Sequence, residues 1–459
     1  GLGSGVTLGS VLTHEVKLVD CAEISPEVIE ASTFFEATNN KPLADPRTQL
    51  YLDDALAFLK LTSRRYQVIV SEPTNPWIAG VGNLYTSEFL NLCKQRLTED
   101  GLMVQWFHVY EMDDETTRLA FRTFRSVFPH VTIWQALTTD IILLGSKQPL
   151  LFDPAALQAK LTAPRVKENL ARIQLDDLPA LLSLEIMTQS AFDQYAGPGE
   201  LNTEDRPLLE YWAPRAFFAN ESAPDFFAYD ERLVFRDAGL FLTRFRSPMC
   251  LTNEDWLRIG ALHTTNSRGS LKYGYAVLAA HDTAQADGVV TLEKLAATAE
   301  RLGRPEESLR YRRRLVALKP NDAITLASYA WQKFSLDLAR TCPTAGYDGR
   351  EIEALLKRSI ASVADTVDQL RVRLGDFYYR TARYAEAEEN YRKALMIRGE
   401  HTPDPKISQD ALLLSLSRSL YRMGQADQAL AYAAQAVLEN SESEQAKNFF
   451  FYLRSMANP

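Results

Sequence analysis

The sequence predicts an α/β nucleotide-binding domain followed by an all-α repeat array. Three observations predict it. Strand-like and helix-like runs alternate over the first 150 residues, polar side chains recur where successive strand-like runs end, and from about residue 256 a helical pattern repeats with small residues at fixed offsets. Regular β–α alternation argues a mostly parallel sheet with helices on both faces. The boundaries follow as 1–220 for the α/β domain, 221–255 for an aromatic-rich linker packed on both halves, and 256–459 for the helical repeats.

The strand candidates are VKLVDCAEI (16–24), TQLYL (48–52), YQVIV (66–70), GLMVQWF (101–107), VTIWQA (131–136) and DIILLG (140–145). Helical spacing fits PEVIEASTFFEA (26–37), DALAFLKL, TSEFLNLCKQRL and DETTRLAFRTFRSVF between them. The last two strands are separated by only a few residues and are therefore expected as an antiparallel hairpin at one sheet edge. Residue 1 stands inside a glycine motif and is not a Met. The strand that a parallel sheet of this type needs before that motif is expected in sequence upstream. Residues 150–220 have spacing compatible with helices.

Composition is that of a globular protein, 46% hydrophobic and 24% charged, with a net charge of −9 that argues against nucleic acid as the main partner and suits a cationic substrate. Cys21, Cys93, Cys250 and Cys342 are scattered without a CxxC pair, which reads as free thiols in a reducing compartment rather than a metal or disulfide framework. No metal site is expected. No run of about 18 apolar residues is present, so nothing in this stretch reads as membrane-spanning.

In open α/β sheets ligands bind at the carboxyl ends of the strands. GLGSG (1–5) leads into a helix, where glycines allow close backbone approach and free N–H groups face a ligand. Glu23 ends the next strand, about 20 residues on, and suits ribose hydroxyls. Asp53 and Asp54 follow TQLYL; one of them suits an adenine amino group, and the plain alternative is a helix N-cap for DALAFLKL. Glu72, followed by Asn75, ends YQVIV between prolines. Four polar groups at four strand ends point to a nucleoside site.

The ordered phrases GLGSG, VDCAEISPEVIEAS, DPRTQLYLDDALAFL and YQVIVSEPTNPWIAGVGNLYTSEFLNLCKQRLTEDGLMVQW resemble the polyamine aminopropyltransferases, the spermidine and spermine synthase family. SEPTNPWIAGVGNLYT, QWFHVYEM and NTEDRPLLEYWAPRAFF (202–218) look like its bacterial branch, in which such a domain follows a membrane-embedded half. The resemblance covers roughly residues 1–220. It implies a Rossmann-like, methyltransferase-type fold and transfer of an aminopropyl group from decarboxylated S-adenosylmethionine, a co-substrate rather than a prosthetic group, to a diamine or polyamine. Gly1, Gly3, Ser4 and Gly5 would then lie by the methionine-derived part of the donor, Glu23 by the ribose and Asp53–Asp54 by the adenine. Residues 72–85 would cover the site, and Tyr85 and Gln105 would line the substrate channel. It further implies attachment to the cytoplasmic side of a membrane through the segment upstream, and it leaves a homodimer open.

The chemistry explains an acid at position 72. A diamine is protonated near pH 7, with a pKa close to the lysine value of about 10.4, so freeing the nucleophile costs roughly 4–5 kcal/mol. Glu72 can take the proton and hold the amine in line, with Asn75 orienting it; a loop-anchoring acid is the plainer alternative. Three family acids are altered. Glu72 stands for the first aspartate of a DSSDP-like loop, neutral Asn75 for the second, and Ser4 for the acid of a GGGDGG-like turn. Losing the last weakens discrimination against the carboxylate of ordinary S-adenosylmethionine. Two other readings follow: a methyltransferase using that donor, with NPW (75–77) as weak support, and a non-catalytic nucleoside-binding scaffold whose repeats recruit proteins.

Glu204 and Asp205 read as a solvated turn, the alternative being that they face the active site. Farther on, LRVRLGDFYYRTARYAEAEENYRKALMI (370–397) matches the tetratricopeptide pattern, with Leu374, Gly375, Tyr378, Ala387, Tyr391 and Ala394 at its offsets. Residues 291–322 (Gly303, Leu315, Pro320) and 411–441 (Gly424, Ala429, Ala436) repeat it. A degenerate unit containing Ala354 lies between, with TCPTAGYDGR (341–350) inserted; GEHTPDPK (399–406) lengthens the next junction and 444–457 closes the array. Such arrays leave a concave face that commonly takes a protein partner, the alternative being a purely structural brace. RYRRRL (310–315) reads as a solvated basic face.

Overall fold

The computed structural model describes residues 1–233, 240–244, 251–265, 270–284, 288–341, 348–401 and 407–457. The chain divides into two compact units, Gly1–His281 and Asp282–Pro459.

In the first unit, α1 (Val6–Val11) follows the glycine turn and β1 (Val19–Glu23) leads to α2 (Pro26–Ala31). Ser25 caps α2, accepting from the Val28 N–H at 3.2 Å. The helix expected to Ala37 stops at Ala31, and a 3₁₀ turn, Ser32–Phe35, replaces its second half. There the Ser32 and Thr33 hydroxyls bond back to the Ile29 and Glu30 carbonyls, competing with helix continuation. β2 (Thr48–Leu52) leads to α3 (Ala55–Leu61), and β3 (Tyr66–Ser71) to α4 (Ser87–Arg96). Then come β4 (Leu97–His108), α5 (Asp114–Val127), β5 (His130–Gln135) and β6 (Asp140–Ser146). Helices α6 (Pro154–Thr162), α7 (Pro164–Ala171) and α8 (Leu178–Leu182) precede β7 (Glu185–Met187), and α9 (Gln189–Ala196), α10 (Leu208–Ala219) and α11 (Pro224–Ala228) follow it.

β1 pairs with β2 in parallel, from Val19↔Thr48 to Glu23↔Leu52. A second sheet has the order β3-β4-β6-β5-β7. Its β3–β4 pair is parallel, whereas β4–β6, β5–β6 and β5–β7 are antiparallel, so the sheet is mixed rather than mostly parallel. The expected antiparallel hairpin of β5 and β6 forms, but not at an edge. β7 covers β5, continued by the Gln135 N–H donating to the Leu184 carbonyl at 2.8 Å. β1 and β3 are not paired with each other; the sheet is split between them, where the expected central strand would lie. Asp20 of β1 spans the split, accepting from the Tyr66 hydroxyl at 2.7 Å and from Arg64 Nη1 at 2.6 Å.

The core of this unit lies between β4–β6 and helices α4, α5 and α9, with Met103, Phe107, Leu119, Phe121, Ile133 and Phe192 all fully buried. α5 is started by Asp113, whose Oδ1 accepts the Thr116 N–H at 2.6 Å. This packing holds the carboxyl ends of β3 and β4 and the start of β6 at one rim.

The second unit is a stack of antiparallel helix pairs: Val289–Arg301 with Pro305–Leu318, Ala323–Thr341 with Arg350–Ala361, Asp368–Arg380 with Tyr384–Glu400, and Gln409–Arg422 with Ala426–Glu439, closed by Glu444–Ala457. Gly375 shows why small residues sit at fixed offsets: a Cβ there would lie 2.7 Å from Tyr391 Cε1. Gly303 and Gly424 turn between helices with φ of 69° and 80°, which L side chains resist. Leu374, Tyr378, Ala387, Tyr391, Ala394, Ala429 and Ala436 are buried as the spacing requires. Arg312 and Arg314 of the basic run pair with Glu300 and Asp282, and Arg310 and Arg313 are exposed. Cys21 and Cys93 are free and buried; Cys250, Cys342 and parts of 341–350 and 399–406 lie outside the described residues. Among the described residues no helix is long and apolar enough to cross a membrane.

Candidate active site

The glycine turn is shaped from both sides. Gly3 and Gly5 take φ of 53° and 78°, a region closed to most side chains. Asn39, 2% exposed, holds the turn from outside. Its Nδ2 donates to the Ser4 carbonyl at 2.9 Å and to the Ser32 carbonyl at 3.0 Å, while its Oδ1 accepts the Lys41 N–H at 2.9 Å. A Cβ on Gly9 would lie 1.7 Å from the Asn39 carbonyl oxygen, so α1 approaches this segment only because residue 9 has no side chain.

Glu23 closes the turn from inside. Its Oε2 accepts the Leu2 N–H at 2.7 Å and its Oε1 the Ser25 N–H at 3.0 Å. Burial pushes this carboxyl up, but the N–H groups of Leu2 and Ser25, the N-terminal ammonium and the Gly3 N–H together outweigh it and hold the pKa below the ordinary glutamate value. Each carboxylate oxygen has two acceptor lone pairs, so capacity for a hydroxyl donor remains. The Asp53 N–H donates to the Glu23 carbonyl at 3.0 Å, placing the ends of β1 and β2 side by side. Asp53 Oδ1 accepts the Asp54 N–H, and Asp54 Oδ1 accepts the Ala57 N–H, each at 2.9 Å. Asp54 is therefore the N-cap of α3, and both acids are exposed.

Glu72 lies just past β3, exposed, and its Oε2 accepts the Thr7 hydroxyl of α1 at 2.8 Å. Asn75 Oδ1 accepts the Tyr110 hydroxyl at 3.4 Å. The loop then runs over the rim and is tied to α10. The Gly80 N–H donates to Glu210 Oε1 at 2.8 Å, and Asn202 Nδ2 donates to the Gly82 carbonyl at 3.2 Å. Trp77 stacks on Phe217 with ring centroids 4.7 Å apart. Tyr85 and Gln105 lie beneath the loop, 3% and 1% exposed, and both donate to the Trp106 carbonyl at 3.1 Å. Burial pushes the Tyr85 phenol well above its ordinary range, and Gln105 Oε1 is buried without a partner.

The rim thus gathers Gly1–Gly5, Glu23, Glu72 and Asn75, with Asp53 and Asp54 beside Glu23, and Tyr85 and Gln105 one layer below. Glu204 and Asp205 are exposed, as expected of a turn. Sequence reasoning missed Thr7, Asn39, Asn202 and Glu210, each of which has a partner 35 to 130 residues away. It also missed a cluster at the end of β4. His108 is fully buried with neither ring nitrogen partnered. Its ring centroid lies 4.4 Å from Tyr110, 4.7 Å from Trp77 and 5.2 Å from Trp106. Burial pulls its pKa down to about 4, so it is a neutral imidazole at neutral pH.

Residues 1–145 match the Spermine/spermidine synthase domain, and residues 368–401 match a tetratricopeptide repeat. The polyamine aminopropyltransferase of Alkaliphilus metalliredigens (strain QYMF) is 32% identical over 139 residues, 30% of this chain and 49% of that protein. The chain therefore spans about half the length of the curated relatives it matches. Among solved structures, a spermidine synthase in complex with the transition-state analogue AdoDATO is 27% identical, with a TM-score of 0.32, covering 35% of this chain and 58% of that one. A thermophilic tetratricopeptide protein of Thermus thermophilus is 17% identical, with a TM-score of 0.33, covering 44% of this chain and 100% of that one.

Proposed function

We propose that the first unit, whose residues 1–145 carry a spermine/spermidine synthase domain, transfers an aminopropyl group from decarboxylated S-adenosylmethionine to a diamine or polyamine. The observation that carries this reading is the position of Glu72, at the carboxyl end of β3 and hydrogen-bonded to the helix that leaves the glycine turn. That turn and Glu23 form the rim where a nucleoside donor would lie. Gly1 to Gly5 would face the sulfonium arm, Glu23 the ribose hydroxyls, and Asp53–Asp54 the adenine edge. Asn75 would orient the acceptor amine, and Tyr85 and Gln105 would support the floor of its channel.

In this reading the ammonium of the acceptor gives its proton to the Glu72 carboxylate. The freed amine nitrogen attacks the CH₂ next to the sulfonium sulfur. A C–N bond forms, the C–S bond breaks, and its electron pair stays on sulfur, so methylthioadenosine leaves as a neutral thioether. The sulfonium already makes the carbon electrophilic, so positioning and proton removal are what the protein must supply. The repeat unit would take a protein partner, and attachment to the cytoplasmic side of a membrane would come from sequence outside these residues.

One observation favours a second reading. Ser4 stands where the family turn carries an acid, and its carbonyl is engaged by Asn39. No carboxylate at that position repels the carboxylate of ordinary S-adenosylmethionine. Product analysis separates the readings: decarboxylated S-adenosylmethionine with putrescine, and separately S-adenosylmethionine with mixed amines, are offered to the protein. Methylthioadenosine that depends on both the diamine and Glu72 is the expected product. S-adenosylhomocysteine instead would make this a methyltransferase.

A further inference from the structure

Asp140 opens β6 directly opposite His108 in the antiparallel β4–β6 register. Its carboxyl is half-buried, and burial raises its pKa against a hydrogen bond from the Trp106 indole N–H. Among the described ion pairs no lysine or arginine is matched to it. Trp106, diagonally on β4, bonds to Asp140, and Tyr110, just beyond β4, is close enough to feel its charge; the neutral, unpartnered His108 packs against both rings, and Trp77 of the covering loop packs on His108 and Tyr110. Tyr110 also reaches Asn75, so this cluster is continuous with the loop that starts at Glu72.

Half-buried anions without a cation are costly unless a positive charge arrives. Aromatic faces attract an ammonium, and more so as water is excluded. Strands β3, β4 and β6 are neighbours, and Asp140 stands opposite His108, three residues along β4 from the Gln105 that pairs with Ser71, so the start of β6 lies about 14 Å from the end of β3. Carboxylates at those two ends leave room between them for a short dication. Asn75 is neutral and cannot balance the second charge of such a molecule.

We propose that Asp140, walled by Trp77, Trp106, Tyr110 and His108, holds the distal ammonium of an α,ω-diamine whose other amine lies at Glu72. The inference rests on the aminopropyl-transfer reading and names the group that makes that site choose diamines over monoamines. The Tyr110 hydroxyl and the His108 ring offer acceptor positions beside the aromatic faces, and Asp140 supplies the charge.

The test compares putrescine with n-butylamine, which has the same carbon chain and one ammonium, by titration calorimetry on the full chain. The expected result is putrescine binding at least about 10-fold tighter than butylamine, matching the value of a hydrogen bond to a charged group. In Asp140→Asn the putrescine affinity falls to that of butylamine, and in Asp140→Glu part of the preference returns. Should Asp140→Asn melt below the assay temperature, Tyr110→Leu serves instead, with the ratio of putrescine to butylamine affinity falling several-fold. A preference that survives in folded Asp140→Asn overturns the inference, as does a wild-type protein that binds both amines equally. Asp140-dependent putrescine binding without methylthioadenosine release supports the subsite and removes the transferase reading.

Discussion

The Thr7 hydroxyl donates to Glu72 Oε2 at 2.8 Å, joining the helix after the glycine turn to the end of β3 across the place where the sheet is split. The glycine turn and an acid at the strand end are thereby held in one frame. Replacing Glu72 by Gln keeps an acceptor for Thr7 but removes the group proposed as the base. The expected outcome is a fall in methylthioadenosine release of about 10²- to 10⁴-fold with donor affinity nearly unchanged. Stopped assays of product alongside donor titration check it.

The glycine turn depends on Asn39 and Gly9 together. Gly9→Ala sets a methyl 1.7 Å from a backbone oxygen, which no rotamer change relieves. The expected cost is at least about 1–3 kcal/mol, as for other overpacked sites. Asn39→Ala leaves the Ser4 and Ser32 carbonyls without their donor and should cost about 1–3 kcal/mol. Thermal melts give the stability, and both variants should weaken donor binding.

Glu210 fixes the covering loop through the Gly80 N–H. If the first unit transfers an aminopropyl group as proposed, Glu210→Ala should raise KM for the amine and lower kcat together, as expected when a covering loop loses its anchor. A Glu210→Gln variant, which keeps the acceptor oxygen, should recover most of the loss. Steady-state kinetics at several amine concentrations separate this from a purely structural effect.

What the sequence made legible was local. TQLYL became a strand with the predicted bounds, Thr48–Leu52, and Glu23, Asp53 and Glu72 stand at or just past the ends of β1, β2 and β3. Asp54 shows the limit: cap and ligand look alike in sequence, and only the bond to the Ala57 N–H distinguishes the first role. β7 was hidden because Glu185–Met187 is three residues without alternation, and it is a strand only because β5 offers it a free edge. Asn39, Asn202 and Glu210 were illegible for a related reason. A polar residue in a loop or in the first turn of a helix declares no distant partner until tertiary packing brings one, here 35, 120 and 130 residues away.

Glu185 gives the first unit a pH-dependent stability. It is 2% exposed, and burial pushes its pKa up to about 7 against hydrogen bonds from the Phe241 N–H and the Thr132 hydroxyl. An unfolded glutamate loses its proton near pH 4.5, whereas the folded one keeps it to about 7. The folded state therefore binds more protons inside that window, and stability falls as pH rises through it, by on the order of 3 kcal/mol. Urea melts at pH 5 and pH 8 should show the decline, and Glu185→Gln should flatten it.

Gly375 tests the packing of the repeats. A methyl there would meet the Tyr391 ring at 2.7 Å, and Tyr391 is 1% exposed with its hydroxyl donating to Asp376 Oδ1 at 2.6 Å. Gly375→Ala must displace the ring and with it that hydrogen bond, at an expected cost of about 1–3 kcal/mol in the melting of the repeat helices. Helix propensity alone predicts the opposite sign, since Ala is favoured over Gly by about 1 kcal/mol within a helix. The two effects separate in a Tyr391→Leu background, where the ring is gone. There Gly375→Ala should cost far less or become stabilising, giving a strongly non-additive pair. Additive losses would instead mean that the contact with Tyr391 is not what requires glycine at position 375.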